Sequence, residues 1–177
     1  MKPTDNQTSF RAEKDTLQTR NFSAAVLTVS DLLDQGEQED KSGPAIIERL
    51  KAIGIDVKRY QIVPEDYGVI VRILQNWCKP RGELDLIITT GGTGLSPRDV
   101  TPEATLAVVD RLIPGIPEAF RAGVLQESPN VILFRGVAGT RGSTFIVNLP
   151  DTIQAVHRSL DTTLLAIKYG LEVMDGK

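Results

Sequence analysis

The fold is decided by a glycine-rich stretch at residues 89–105, which reads Thr-Thr-Gly-Gly-Thr-Gly-Leu-Ser-Pro-Arg-Asp-Val-Thr-Pro-Glu-Ala-Thr. It follows an apolar run at 84–88 that is typical of a buried strand. It precedes Pro102, a favourable first residue of a helix, with Thr101 as the predicted N-cap. Glycines let backbone N–H groups approach a phosphate, and a helix N-terminus adds partial positive charge. This order favours an anion site, although such turns also occur as plain connections.

The charges of this loop indicate a nucleotide that carries a metal ion. Arg98 can add positive charge, whereas the carboxylate of Asp99 is unfavourable beside phosphates unless a cation bridges them. The P-loop pattern needs a lysine that this loop lacks, and the dinucleotide pattern read from Gly92 ends on Pro97 instead of a glycine. The loop is therefore compatible with phosphate but belongs to neither standard class.

Composition excludes several classes of protein and site. The 177 residues are 41% hydrophobic and 24% charged, which is ordinary for one globular domain with a substantial core. The net charge of −3 offers no general positive field for nucleic acid or a membrane surface, and no apolar run could span a bilayer. The sequence has one cysteine, Cys78, and one histidine, His157, so an intrachain disulfide and a histidine-rich zinc or iron site are excluded. A bound metal would be a hard, oxygen-liganded ion such as Mg²⁺.

The first 21 residues are polar and contain no hydrophobic signal segment. We predict a disordered tail over 1–21 and a single domain over 22–177. A lone cysteine fits a reducing compartment, so we expect a cytoplasmic protein with small-molecule substrates and neither nucleic acid nor a membrane as partner.

Short apolar runs alternate with segments of helical periodicity. The predicted strands lie at residues 24–30, 55–63, 84–90, 131–134 and 144–149. The predicted helices carry apolar residues three or four apart, over 46–53, 69–77, 105–112, 117–124 and 153–171. This alternation predicts an α/β fold with a mainly parallel sheet and helices on both faces. Ligands of such folds bind beyond the carboxyl ends of the strands, which here carry the loops after Ser30, Val63, Thr90 and Leu149.

Acidic side chains beside these strand ends are candidates for a metal site. Asp99 is the first choice, because a carboxylate in a phosphate loop can ligate Mg²⁺ that also binds the phosphates; the alternative is stabilisation of the helix dipole. Glu65 and Asp66 follow Pro64 and could complete a metal site or supply a base. Asp66 is also well placed as a helix N-cap, which is the more common role.

Polar groups in other turns allow both a structural and a binding interpretation. Ser42 or Gly43 could cap the helix that follows, or their N–H groups could hold a phosphate or a ring edge. The turn around Arg141 and Ser143 could be a plain hairpin or a second anion pocket. Asn148 could reach a ligand at the end of the last strand or only satisfy backbone groups there.

The stretch 89–105 resembles the signature of the molybdenum-cofactor biosynthesis family, which includes bacterial molybdopterin adenylyltransferases and the pterin-binding G domain of gephyrin. The resemblance extends over about residues 24–171. Three further stretches match in the same order: Ser30-Asp31 with Gly36 and Asp40-Lys41-Ser42-Gly43, residues 139–144, and Asn148-Leu149-Pro150.

The resemblance implies a three-layer α/β/α fold assembled as a homotrimer or a dimer of trimers. It also implies transfer of AMP from Mg-ATP to the terminal phosphate of molybdopterin, with release of pyrophosphate, and other molybdenum-cofactor assembly proteins as partners. Catalysis and Mg²⁺ binding fall on Asp99 with Glu65 or Asp66. The implied substrate- and phosphate-binding residues are Ser30, Asp31, Ser42, Gly43, Gly91, Gly92, Thr93, Gly94, Arg141, Gly142, Ser143, Asn148 and Pro150.

Two departures from the family pattern concern catalysis more than fold. The family's Pro-Asp-Glu order reads Pro64-Glu65-Asp66, so either Glu65 replaces the aspartate or Asp66 serves after a small shift. Asp151 stands where the family has glycine, which removes easy access to positive φ and adds negative charge near an anionic ligand. Two alternative functions therefore stay open: a protein that binds molybdopterin without transfer, or an oligomeric scaffold with a vestigial pocket.

Overall fold

The computed structural model describes residues 20–78 and 84–176. These residues contain six strands and six helices, with one 3₁₀ segment. Their order is β1 (Ser23–Val29), α1 (Asp31–Asp34), α2 (Ser42–Ala52), β2 (Asp56–Val63), α3 (Tyr67–Trp77), β3 (Leu86–Thr90), α4 (Thr101–Leu106), β4 (Arg111–Leu112), α5 (Gly115–Val124), the 3₁₀ segment (Pro129–Leu133), β5 (Ala138–Arg141), β6 (Thr144–Leu149) and α6 (Ile153–Met174).

The strands form one sheet in the order β2-β1-β3-β6-β5-β4. β2, β1, β3 and β6 pair in parallel, whereas β5 and β4 extend the sheet in antiparallel pairing. Every residue of β3 and β6 is buried, as expected for parallel strands that are covered on both faces. The predicted mainly parallel sheet is confirmed.

Two apolar cores lie on opposite faces of this sheet. Along β1, Ala24 and Val26 point into one core, and Ala25 and Leu27 into the other. The first core is closed by α2, α5 and α6, and the second by α3 and α4. Each fully buried leucine or isoleucine contributes about 1.5–3 kcal/mol, so both layers are needed for a stable domain. The three-layer α/β/α architecture is confirmed.

Two of the sequence-based element predictions are wrong. The helix predicted over 105–112 ends at Leu106, and Leu112 lies in β4, where it pairs with Gly139 of β5. The strand predicted over 131–134 belongs to the 3₁₀ segment, in which Val131 is buried but Ile132 is exposed. Short apolar segments fit more than one element. Pairing with β5 decided the first case, and packing of Val131 against Phe120 and Val124 accompanies the second.

Smaller corrections concern the ends of elements. Thr101 is the first residue of α4 and not its N-cap, and its buried Oγ1 has no hydrogen-bond partner among the residues that the structure describes. The stretch 139–143 is not all turn, because Ala138–Arg141 is a strand and the hairpin turn consists of Gly142 and Ser143. The loop predicted after Ser30 contains the single turn of α1.

The predicted tail over 1–21 falls mainly on residues outside the described ranges. At the start of the described chain, Arg20 donates to Asp85 at 2.7 Å and also pairs with Asp175 at the end of α6. Among the helices of residues 20–78 and 84–176, none combines the length and the apolar character that a bilayer crossing requires.

The glycine loop, residues 91–100, joins β3 to α4 and crosses the ends of two neighbouring strands. The N–H of Gly91 donates to the carbonyl of Leu149 at 3.3 Å, at the end of β6. A Cβ at Gly91 would lie 2.2 Å from the carbonyl oxygen of Val29, at the end of β1, and φ is +94°. Close packing of backbone therefore requires glycine here.

We expect Gly91→Ala to destabilise the protein by about 3 kcal/mol, because a side chain would add a clash with Val29 to the strain of positive φ. Gly54→Ala is the matched control. Its φ is +80°, and a Cβ built there would have no non-neighbouring atom of the described residues within 4 Å. That change should have only the conformational effect, about 1–2 kcal/mol. Urea denaturation measures both, and equal losses would show that the contact with Val29 is not limiting.

Candidate functional site

Two cavities open at the edge where the parallel strands β1, β2, β3 and β6 end. The acidic cavity has a volume of about 630 Å³, and its polar lining includes Ser30, Asp31, Asp40, Ser42, Glu65, Gly91 and Asp151. The apolar cavity has a volume of about 750 Å³, and its lining includes Thr93, Gly94, Asp99, Phe120, Val124, Leu133, Phe134, Pro150 and Asp151. Asp151 and Thr152 line both, so the cavities meet at the turn after β6.

An ion pair joins Asp31 of α1, which lines the acidic cavity, to Arg98 of the glycine loop. The guanidinium of Arg98 donates to Asp31 through Nε at 2.9 Å and through Nη2 at 2.7 Å. Asp31 also accepts from the N–H of Glu65 at 2.9 Å. The hydrogen bonds from Arg98 and from this N–H hold the pKa of Asp31 below its usual value. Asp31 is therefore a fixed negative charge at this edge.

Glu65, and not Asp66, faces the acidic cavity. Burial raises the pKa of Glu65, and the nearby carboxylates of Asp31 and Asp99 raise it further. Asp66 instead accepts from the N–H of Val69 at 2.8 Å as the N-cap of α3. Asp66 therefore acts as a helix N-cap, and Glu65 supplies the carboxylate that faces the acidic cavity.

Asp99 has one oxygen in a turn and one that is free. Its Oδ2 accepts from the N–H of Ser96 at 2.7 Å, which folds the carboxylate back over the glycine loop. Within residues 20–78 and 84–176, no hydrogen bond is made to Oδ1. Asp99 lines the apolar cavity beside Thr93 and Gly94, and its charge is close enough to affect Glu65. A cation or a donor could bind the free oxygen without breaking the turn.

The glycine loop offers donors for an anion. The N–H groups of Gly92, Thr93 and Gly94 have no hydrogen-bond partner among the described residues. The carbonyl of Gly92 is held by the N–H of Thr101 at 3.1 Å. Unpartnered N–H groups on successive residues are what an oxyanion binds. The loop therefore has the donors that the sequence pattern predicted. Glycine at 91 is also required by the close approach to the backbone of Val29, and glycine at 92 is favoured by positive φ and by the nearby side chain of Thr101.

A family model described as a probable molybdopterin binding domain matches residues 25–168. The chain belongs to this family. Membership places the protein in molybdenum cofactor biosynthesis, as the resemblance of the glycine loop predicted.

Similar proteins cover nearly all of the domain. A molybdopterin adenylyltransferase of Helicobacter pylori is 37% identical over 153 residues, which are 85% of this chain and 86% of that protein. Gephyrin of Dictyostelium discoideum is 35% identical over 86% of this chain, but the match spans only 22% of gephyrin. The crystal structure of the molybdopterin biosynthesis enzyme MoaB from Thermus thermophilus has a TM-score of 0.82 at 42% identity, over 88% of this chain and 98% of MoaB.

In this molybdopterin-binding domain the turn of Arg141, Gly142 and Ser143 does not lie at the cavity edge. β6 runs parallel to β3, so the turn that precedes β6 lies at the amino ends of the parallel strands. The cavities lie at the opposite ends of these strands. There Arg141 donates to the carbonyl of Val108 at 2.7 Å, and the N–H of Gly142 donates to Asp110 at 2.9 Å. Within one chain, this turn is therefore a hairpin whose Arg141 side chain and Gly142 N–H are bonded to the protein itself. It does not form the second anion pocket.

Asn148 is a buried cross-link at the end of β6. Its Oδ1 accepts from the N–H of Val137 at 3.0 Å, and its Nδ2 donates to Thr89 and Thr105, each at 2.9 Å. Both N–H donors of its side-chain amide are therefore used, and only the second lone pair of Oδ1 could accept a hydrogen bond from a ligand. The structural interpretation of Asn148 therefore describes its bonding.

The start of α2 is arranged by Asp40, which lies in one of the stretches that match the family pattern but was not predicted as a site residue. Its Oδ1 accepts from the N–H groups of Ser42 and Gly43, at 2.9 and 3.0 Å, at the start of α2. The hydroxyl of Ser42 donates to the carbonyl of Asp151 at 2.6 Å and so ties this helix to the turn after β6. An aspartate two residues before a predicted helix start was the available signal. Ser30 accepts from Leu33 N as the cap of α1.

Arg135 is the second residue that the sequence did not reveal. Its Nε donates to the carbonyl of Gly94 at 2.6 Å and its Nη2 to the carbonyl of Asp99 at 2.7 Å. Its backbone N–H donates to the carbonyl of Thr93 at 3.1 Å. The only signal was an arginine between an apolar run and Gly136, beside a segment that was predicted as a strand.

The acidic groups fit a metal that arrives with its substrate. Among the described residues, no three histidine, cysteine, aspartate or glutamate side chains form a ready-made metal site. Mg²⁺ commonly keeps several waters and binds through one or two carboxylates together with substrate phosphates. The free oxygen of Asp99 and the carboxylate of Glu65 match that donor set.

We expect Glu65→Gln to stabilise the ligand-free domain at neutral pH. The folded-state pKa of Glu65 is raised above its unfolded value, so ionisation opposes folding, and the carboxyl is most favourable at low pH. The advantage of the variant in melting temperature should therefore shrink as the pH falls toward about 4, the ordinary range of glutamate. Glu37→Gln, on an exposed loop, is the control and should shift the melting temperature at no pH. Equal melting curves for wild type and Glu65→Gln would contradict this assignment.

Proposed function

We propose that this domain transfers AMP from Mg-ATP to the terminal phosphate of molybdopterin and releases pyrophosphate. The observation that carries the proposal is that two cavities, one acidic and one apolar, meet at a turn beside a phosphate-compatible loop. Two adjacent cavities suit a reaction between two bound substrates. The name of the Helicobacter pylori relative, molybdopterin adenylyltransferase, supports the same reaction.

The transfer needs positioning and charge neutralisation more than covalent help from the protein. A phosphate oxygen of molybdopterin attacks the α-phosphorus of ATP, and the bond from that phosphorus to the pyrophosphate oxygen breaks. In this proposal the free N–H groups of Gly92, Thr93 and Gly94 bind phosphate oxygens. Asp99 and Glu65 would hold Mg²⁺, and the ion would neutralise charge on the triphosphate. Without that cation, their carboxylates would repel the substrate.

The apolar cavity provides surface for a planar ring of one substrate. Phe120 and Phe134 line it and stack edge to face, with ring centroids 5.0 Å apart. Arg158 and Glu127 pair at its polar margin at 2.6 Å. A concave apolar surface with a few polar groups is the usual form of a small-molecule site.

A second candidate function is binding of molybdopterin without transfer, and Asp151 is the observation that favours it. Its carboxylate lies on the margin of both cavities, where it adds to the charges of Asp31 and Glu65. Incubation with ATP, Mg²⁺ and molybdopterin separates the two functions, because only a transferase forms adenylylated molybdopterin. A vestigial scaffold would show no shift in melting temperature with either ligand.

We expect Asp99→Asn to reduce AMP transfer by at least about 100-fold while molybdopterin binding persists, because a bridging charge is lost at the phosphates. The asparagine oxygen can still accept from Ser96, so the turn is kept. Turnover is measured by release of pyrophosphate, and binding by calorimetry. Wild-type turnover in this variant would remove the metal role from Asp99.

Glu65 and Asp66 are separated by a matched pair of variants. Glu65→Gln should lower turnover by about 10- to 100-fold, since a carboxylate at the acidic cavity is lost. Asp66→Ser keeps a capping oxygen for Val69 and should leave turnover near that of the wild type. The opposite pattern in steady-state assays would assign the second carboxylate to Asp66.

The homotrimer or dimer of trimers, the cytoplasmic location and contacts with other molybdenum-cofactor assembly proteins stay predictions. An exposed apolar stripe on α6, formed by Leu165, Tyr169 and Val173 at intervals of four residues, is compatible with assembly. Sedimentation velocity on the purified chain tests the number of copies.

A further inference from the structure

The backbone of residues 93–99 in the glycine loop is hydrogen-bonded to one residue outside it, Arg135, through the guanidinium and the backbone N–H of that residue. Within the described ranges, the hydrogen bonds from this backbone to the rest of the protein are made only to Arg135. The other backbone bonds of the stretch are internal, between Ser96 and its near neighbours Arg98 and Asp99. If Arg135 were removed, the remaining polar contact between this stretch and the rest of the described chain would be the exposed ion pair of Arg98 with Asp31.

The bonds from Arg135 fall at both ends of the part of the loop that carries the chemistry. Its backbone N–H and Nε hold the carbonyls of Thr93 and Gly94, beside the free N–H groups. Its Nη2 holds the carbonyl of Asp99, whose side chain carries the free carboxylate oxygen. A planar guanidinium with donors in a fixed fork can span two carbonyls, whereas an ammonium acts as one point charge.

The guanidinium is itself held in place. Its Nη1 pairs with the carboxylate of Glu103 on α4, and about two-thirds of the side chain is shielded from solvent, with 33% exposed. The residue before it, Phe134, is anchored by a hydrogen bond from Arg121 to its carbonyl at 2.9 Å. Arg135 therefore connects a fixed segment of the fold to a loop that lacks other backbone contacts.

We propose that Arg135 is a positioning residue that holds the glycine loop in the form in which its free N–H groups and the carboxylate of Asp99 face the substrates. Arg135 is not among the lining residues of either cavity, and it acts through the carbonyls of Gly94 and Asp99, two residues that line the apolar cavity. Its effect on catalysis rests on the proposed function, whereas its effect on the loop does not.

The test compares Arg135→Gln and Arg135→Lys with Arg121→Gln. Arg121 is the matched control, because it donates to the same segment at Phe134 but makes no contact with the glycine loop. The first measurement is hydrogen–deuterium exchange of the substrate-free protein. The amides of Ser96 and Asp99, which are hydrogen-bonded within the loop, should exchange at least about 10-fold faster in Arg135→Gln than in wild type or Arg121→Gln. Loss of the bonds from the guanidinium to the carbonyls of Gly94 and Asp99 lets the loop open more often.

The second measurement is steady-state AMP transfer with Mg-ATP and molybdopterin. Arg135→Gln should lower kcat by about 100-fold with little change in KM, because misplaced loop groups lose contacts that matter most in the transition state. Arg135→Lys should recover only part of kcat, since it keeps the charge but not the fork. Arg121→Gln should keep kcat near the wild-type value.

Wild-type exchange in folded Arg135→Gln, or equal losses of kcat in the Arg135 and Arg121 variants, would overturn the proposal. If Arg135→Gln does not fold, Arg135→Lys decides by the same two measurements. If the wild type itself forms no product, the proposed reaction fails, and hydrogen–deuterium exchange still decides whether Arg135 holds the loop.

Discussion

The site depends on a close approach between backbones at the carboxyl ends of the sheet. Gly91 passes so near the carbonyl of Val29 that no side chain fits between them, and its N–H donates to the carbonyl of Leu149. This crossing brings the glycine loop over the ends of β1 and β6. The loop can then contribute Gly91 to the acidic cavity and Thr93 to the apolar cavity. Without a glycine at this crossing, the strand ends and the loop could not form one site.

The negative charges around the two cavities lower the stability of the folded domain. Asp31, Glu65, Asp99 and Asp151 lie around the cavities, and burial together with neighbouring carboxylates raises the pKa of Glu65. Arg98 offsets part of the charge by its pair with Asp31, but this pair is substantially exposed, and such pairs contribute little, about 0–1 kcal/mol. Concentrated carboxylates that oppose folding are expected where a cationic ligand is to be bound. The acidic edge is therefore understandable in a domain proposed to handle Mg-ATP.

Agreement between sequence and structure is best where a pattern has one physical interpretation. Apolar runs between helical segments predicted the parallel strands, since strands buried on both faces leave no polar alternation. The runs at 105–112 and 131–134 failed because short apolar segments fit a helix, a strand or a 3₁₀ turn equally well. There, the pairing of β4 with β5 and the burial of Val131 decided the outcome.

The sequence by itself determined the fold class, the position of the glycine loop and the presence of carboxylates at the strand ends, because these follow from local pattern and spacing. It also indicated the family, through the resemblance of residues 89–105 to a known signature. Only the tertiary structure decided that Glu65 faces the acidic cavity while Asp66 caps α3. It also placed the turn at Arg141 at the amino ends of the parallel strands, away from the cavities. It also revealed Arg135, which is 36 residues from Asp99 along the chain but bonded to its carbonyl. Side-chain direction and strand order are set by packing between distant segments, and no local pattern encodes them.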